Sequence, residues 1–152
     1  MAVGTLSGIR PEGKTVLLRL DLNSPIDPTT HQILDDKRFR EHIPTIQALS
    51  RSRVVVISHQ SLPGKKDFTT LEAHAEKLER LLQRPVRYVD DIFGRCAREA
   101  VRGLKAGDVL VLENVRFNAE ENLTVKPEEA AKLHLVRNLA RMGDYFVNDA
   151  FG

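Results

Sequence analysis

Short runs that are apolar at every position recur along this chain, and stretches with a helical stripe lie between them. Val16-Leu17-Leu18, Val54-Val55-Val56-Ile57 and Val109-Leu110-Val111-Leu112 have no polar alternation. Such runs predict strands buried on both faces. Pro85–Val89 and Tyr145-Phe146-Val147 read as two further short strands. Arg38–Ser50 reads as a helix with Phe39, Ile43, Ile46 and Leu49 on its apolar face, and Pro44 predicts a kink or a break near Ile43. Thr69 and Glu72 have capping-box spacing ahead of a stripe of Leu71, Ala75, Leu78 and Leu82. Ile92–Leu104 reads as a helix with Ala97, Ala100, Val101 and Leu104 inward. A last helix is predicted from Pro127 to about Met142, with Ala131, Leu135, Leu139 and Met142 inward and Gly143 as its cap. Met1–Lys14 is polar and ends in a turn at Pro11–Gly13; Ile26–Asp36 and Ser58–Lys66 read as loops, and Asn118–Lys126 as a mobile acidic one.

Strands alternating with amphipathic helices predict an α/β fold: an open parallel sheet flanked by helices, a Rossmann-like three-layer α/β/α arrangement. A chain of 152 residues fits one such domain, 1–152. Thr15–Pro25, TVLLRLDLNSP, is its most informative stretch. The first half is wholly apolar. In the second half Leu18, Leu20 and Leu22 share one face, and Arg19, Asp21 and Asn23 share the other. Pro25 has no N–H, so pairing should stop there. A buried strand whose carboxyl end carries a cation, an anion and an amide is either the rim of a site or a strand emerging into water with Arg19 and Asp21 paired.

A net charge of +2, few aromatics and no dense basic run give no signal for nucleic acid. One cysteine, Cys96, excludes an internal disulfide. No apolar run approaches the ~18 residues of a membrane span, and the start is unlike a signal peptide, so the expected location is cytoplasmic.

Ligands of open α/β sheets bind beyond the carboxyl ends of the strands. There this chain carries Asp21 and Asn23, then Ser58, His59 and Gln60, then Glu113, Asn114 and Arg116, then Asn148 and Asp149. Arg38 opens the first long helix and can lean over the same edge. Such a set suits a small anion, since arginine offers a rigid fork to carboxylate or phosphate. Taken singly, Arg38 and Arg116 could be surface ion pairs, His59 a satisfied core residue, and Asp21 with Asn23 a turn cap. Gly64-Lys65-Lys66-Asp67 is not a phosphate loop, no dinucleotide-type glycine fingerprint follows the first strand, and the histidines lack metal-ligand spacing.

Seven pieces carry a resemblance: LLRLDLNSP (Leu17–Pro25), DDKRFREHIPTI (Asp35–Ile46), VVVISHQ (Val54–Gln60), DFTTLEAHAEKL (Asp67–Leu78), VDDIFG (Val89–Gly94), LENVRF (Leu112–Phe117) and DYFVNDAFG (Asp144–Gly152). In this order the chain resembles the N-terminal domain of the phosphoglycerate kinase family. The resemblance implies phosphoryl transfer between 1,3-bisphosphoglycerate and ADP, giving 3-phosphoglycerate and ATP with Mg2+. It implies that this half binds the phosphoglycerate while a separate C-terminal domain, expected to follow Gly152, binds the nucleotide, with a hinge closing the two. Asp21 and Asn23 would hold the glycerate hydroxyl and carboxylate region. Arg38 would contact the carboxylate and stabilise the transferring phosphoryl, as the catalytic residue. His59 and Arg116 would hold the 3-phosphate. No metal ligand is implied here.

The chain departs from the family where Gly-Arg precedes the proline of the His59 loop. It has Ser61-Leu62 instead, beside Gln60. A phosphate-facing guanidinium is thereby absent, worth on the order of 1.5–3 kcal/mol of binding; Lys65 or Lys66 could replace it. Two other readings stay open: a non-catalytic anion-binding or regulatory module with a degenerate site at Ser61-Leu62, and a surface that drives self-association.

Overall fold

The computed structural model describes residues 4–150. Met1–Val3 of the polar start, and Phe151 and Gly152 of the last matching piece, lie outside the described residues. Five strands form one parallel sheet: β1 (Thr15–Arg19), β2 (Arg53–Ile57), β3 (Val86–Tyr88), β4 (Val109–Val111) and β5 (Tyr145–Asn148), in the order β3-β4-β2-β1-β5. Helices α1 (Lys37–Ala48), α2 (Glu72–Leu82), α3 (Arg95–Arg102), α4 (Pro127–Ala130) and α5 (His134–Ala140) join them.

The side-chain period of two sorts the apolar strands onto two cores. Val16, Leu18, Val54, Val56, Val109 and Val111 pack with Phe39 and Ile46 of α1 and Ala75 and Leu78 of α2. Leu17, Val55, Ile57, Leu110 and Leu112 pack on the opposite face with Ala97 and Val101 of α3 and Met142 beyond α5. The chain moves from β1 to β2 to β3 in one direction with α1 and α2 on one face. It returns through β4 to β5 with α3 and α5 on the other. Crossovers of constant right hand require that change of face when the direction reverses. The expected α/β class and three layers are therefore present.

Several boundaries differ from the sequence-based expectation. β1 ends at Arg19 rather than near Pro25, although Leu20 and Leu22 continue inward, fully buried, held by Ile57 O and Ser58 Oγ. Pro44 does not end α1. It withdraws only the donor aimed at the carbonyl of Arg40, an exposed residue, while buried Phe39 and Ile46 hold the helix on either side. Thr69 and Glu72 form no capping box. Leu71 stands at the start of α2, and its N–H donates to Glu113 Oε1 at 3.0 Å. α3 begins three residues later than Ile92, because Asp91 accepts the N–H groups of Gly94 and Ala97 at 2.8 and 2.9 Å.

The helix expected over Pro127–Met142 is two helices. Leu133 is extended, and the Glu120 carboxylate accepts the N–H groups of His134 and Leu135, which starts α5 afresh. Ala131, expected inward, is exposed as a result. Gly143 is not the cap, which is Arg141. Its place follows from crowding: a Cβ there would lie 2.6 Å from Leu17 Cγ. Asn118–Lys126 is not a free loop either. Ala119–Asn122 forms a 3-10 turn tied to the sheet edge through Glu121.

Candidate functional site

The loops leaving β1, β2, β4 and β5 meet along the carboxyl edge, and one residue ties two of them together. Asn114, fully buried, donates through Nδ2 to Gln60 O at 3.0 Å and Thr69 O at 2.8 Å. Its Oδ1 accepts the N–H of Arg116 at 3.1 Å. The preceding Glu113 accepts from Leu71 N–H, from Asn114 N–H and from the Tyr88 hydroxyl at 2.5 Å. Burial raises the Glu113 carboxyl above its ordinary range, and the same burial with the Glu113 partner raises the Tyr88 phenol.

On this frame Ser61 sits at φ +59°, a left-handed conformation that favours glycine. Three bonds hold it there. Its N–H donates to Asn23 Oδ1 at 2.9 Å, its hydroxyl to Asp67 Oδ1 at 2.6 Å, and its carbonyl accepts Arg116 Nη1 at 2.7 Å. Ser61 therefore holds the loop in a glycine-like shape. Gln60 does not face outward. Its amide is locked to the main chain of Ser24, with His74 Nε2 on its oxygen at 3.0 Å. Leu62 is 47% exposed and brings no polar group to the edge.

Asp21 is ion-paired with Arg38, and Arg19 with Glu121 at 2.9 Å, so Arg19 and Asp21 are not partners of each other. Arg19 also lies 3.3 Å from His59 Nδ1. Only Nδ1 without a proton can accept from a guanidinium, which leaves Nε2–H as the donor of the His59 ring. Burial, and then Arg116, Arg19 and Arg38, lower His59 from its ordinary 6.5 to about 4. His59 thus stands neutral among three arginines from three segments of the chain. The expected residues Asp21, Asn23, Arg38, His59 and Arg116 share this edge. Arg19 and Glu121 belong to the same cluster. Arg19 was legible from its strand face, shared with Asp21 and Asn23, whereas nothing local pointed to Glu121.

The depressed His59, with His74 lowered to about 4 by burial and by His59, sets a sign for stability. The unfolded chain takes up these protons near pH 6.5 and the folded chain only near pH 4, so between those values the unfolded state binds more protons. Stability is expected to be full above about pH 6.5 and to fall steadily toward about pH 4. Urea midpoints measured across that range test this. A midpoint unchanged from pH 7 to pH 4.5 contradicts it.

A parallel α/β domain with three arginines gathered at its carboxyl edge is, by class, a scaffold suited to small anionic ligands. Comparison with known proteins narrows the class. The family model for phosphoglycerate kinase matches residues 6–152. The chain is 69% identical over its whole length to a phosphoglycerate kinase of Methanocorpusculum labreanum, covering 38% of that protein. It is 57% identical over 97% of its length to that of Methanothermobacter thermautotrophicus, covering 36% of it. The crystal structure of phosphoglycerate kinase from Pyrococcus horikoshii superposes with a TM-score of 0.91 at 46% identity, over 95% of this chain and 36% of that one. The chain belongs to the phosphoglycerate kinase family, and it spans little more than a third of the length of these relatives.

Proposed function

We propose that this chain is the phosphoglycerate-binding portion of a phosphoglycerate kinase, which moves a phosphoryl group between 1,3-bisphosphoglycerate and ADP to give 3-phosphoglycerate and ATP. The observation that carries this reading is the set of Arg19, Arg38 and Arg116 around a neutral, half-buried His59. Arg19 and Arg38 are paired with Glu121 and Asp21, while Arg116 has no carboxylate partner among the described residues, so the edge keeps a net positive charge that a phosphate-bearing acid would offset. In this reading Asp21 and Asn23 hold the glycerate hydroxyl region. Arg116 and the His59 Nε2–H hold the 3-phosphate. Arg38 meets the carboxylate end and stabilises charge on the transferring group. Positioning and cation placement supply the catalysis that this edge can offer.

Among the described residues no group of three or more His, Cys, Asp or Glu side chains gathers that could hold a metal. In this proposal the nucleotide, with magnesium, is bound by a separate C-terminal domain. No helix among the described residues is long and apolar enough to cross a membrane. The proposed setting is the cytoplasm, in glycolysis.

Calorimetry of the chain with 3-phosphoglycerate tests the reading. Weak binding is expected, strengthened about tenfold by Leu62→Arg, since a guanidinium at that exposed position adds one charge-assisted contact. Turnover by this portion alone is expected to be undetectable. Absence of 3-phosphoglycerate binding in both forms overturns the proposal and favours a module with an altered site.

A further inference from the structure

Helix α1 grips residue 21 at two points. Arg38 holds its carboxylate. His42, one turn further along and buried, reaches its main chain, with Nε2 at 3.2 Å from the Asp21 N–H. The other ring nitrogen, Nδ1, is 2.9 Å from Asp149 Oδ2, and Thr45 Oγ1 donates to the same oxygen at 2.7 Å. A carboxylate oxygen only accepts, so Nδ1 carries a proton; Nε2 lies 3.2 Å from both the N–H and the carbonyl oxygen of Asp21, accepting from the first when bare and donating to the second when protonated, and it grips the main chain either way. Asp149 is itself fixed, its N–H donating to Arg19 O at 2.9 Å just beyond β5. A chain of contacts thus runs from the end of β5, through α1, to Asp21 in the loop that leaves β1.

We infer that His42, oriented by Asp149, is a positioning residue that sets where the Asp21 carboxylate stands at the ligand edge. The inference rests on the proposed function for its ligand but not for its geometry. β1 ends at Arg19, so from Leu20 onward no strand ladder runs through residue 21. Without His42 its N–H has no partner among the described residues other than solvent. Arg38 is half-exposed and can follow Asp21 as it drifts. The buried ring cannot follow in that way, and it therefore fixes the reference point.

Three variants of the chain, unsubstituted, His42→Asn and His42→Gln, decide the matter. Asparagine can still donate to Asp149 but is too short to reach Asp21, whereas glutamine can reach the Asp21 main chain. Affinity for 3-phosphoglycerate by calorimetry is expected to fall roughly tenfold in His42→Asn and to recover to within about threefold in His42→Gln. The Asp21 amide, followed by hydrogen exchange, is expected to exchange faster in His42→Asn only. Unchanged affinity in His42→Asn overturns the inference. So does equal loss in both variants, which assigns the effect to packing of the ring. If His42→Asn does not fold, binding by His42→Gln decides alone: near the unsubstituted level it sustains the inference, and tenfold weaker it overturns it. If the unsubstituted chain does not bind 3-phosphoglycerate, the proposed function falls. Asp21 exchange then judges His42 by itself, and equal rates in all three overturn the inference.

Discussion

Asn114→Ala is expected to lower the stability of the chain by about 3 kcal/mol and to abolish measurable binding of 3-phosphoglycerate. The side chain is fully buried, and three backbone groups lose their partner at once: Gln60 O, Thr69 O and Arg116 N–H. An unmatched buried group costs about 1–3 kcal/mol; Gln60 is buried and pays most of this, while water reaches the partly exposed Thr69 and Arg116 and reduces the total. The functional loss has a separate origin. Asn114 ties the loop after β2 to the turn that carries Arg116, and Arg116 Nη1 in turn holds Ser61 O. Once the tie is gone, Ser61 keeps its bonds to Asn23 and Asp67 but loses the fixed Arg116, the third support of a non-glycine residue at φ +59°. Urea unfolding and calorimetry measure the two effects. Asn114→Asp is expected to behave much like the alanine variant, because a carboxylate keeps the acceptor and loses both donors. A stability loss below about 1 kcal/mol removes Asn114 from the centre of the frame.

How far the fold and site were legible follows from which contacts are local. The wholly apolar runs identified β1, β2 and β4 as strands buried on both faces, and β3 and β5 were read from shorter stretches, because a buried run needs no partner to be recognised. Helix starts were misread wherever the capping carboxylate comes from elsewhere. Glu113, beyond β4, serves α2, and Glu120, from the 3-10 turn, restarts α5 after Leu133. In sequence Thr69 and Glu72 made a plausible cap, yet the donor they would satisfy is taken from 42 positions away. Gly143 likewise looked like a cap when its cause is Leu17 in a neighbouring strand. The placement of Asp21, Asn23, His59 and Arg116 on the carboxyl edge was legible because each lies in the loop that leaves a strand. The partner exchange was not: Arg19 and Asp21, two residues apart on one face, each take a partner from a distant segment, Glu121 and Arg38.

That exchange sets the size of the effect expected for Arg38→Ala. Affinity for 3-phosphoglycerate should fall about 100-fold, well beyond the tenfold or so of one charge-assisted hydrogen bond. Two losses add. The carboxylate of the ligand loses its guanidinium, and Asp21, only 15% exposed at its side chain, is left as an unpaired anion facing an anionic ligand. Folding should suffer little, by under about 1 kcal/mol, because the Arg38 side chain is half-exposed and such pairs contribute weakly. Arg38→Lys separates charge from geometry. It retains the cation and loses the fork, so binding should be intermediate, weaker than the unsubstituted chain by about tenfold. His59 supplies an independent check by NMR titration, since Arg38 is the last and smallest of the three arginines that lower it. Its titration should move upward in Arg38→Ala, and less than in Arg116→Ala. Binding by Arg38→Ala within threefold of the unsubstituted chain would place the carboxylate end of the ligand elsewhere, and would remove Arg38 from the proposed catalytic role.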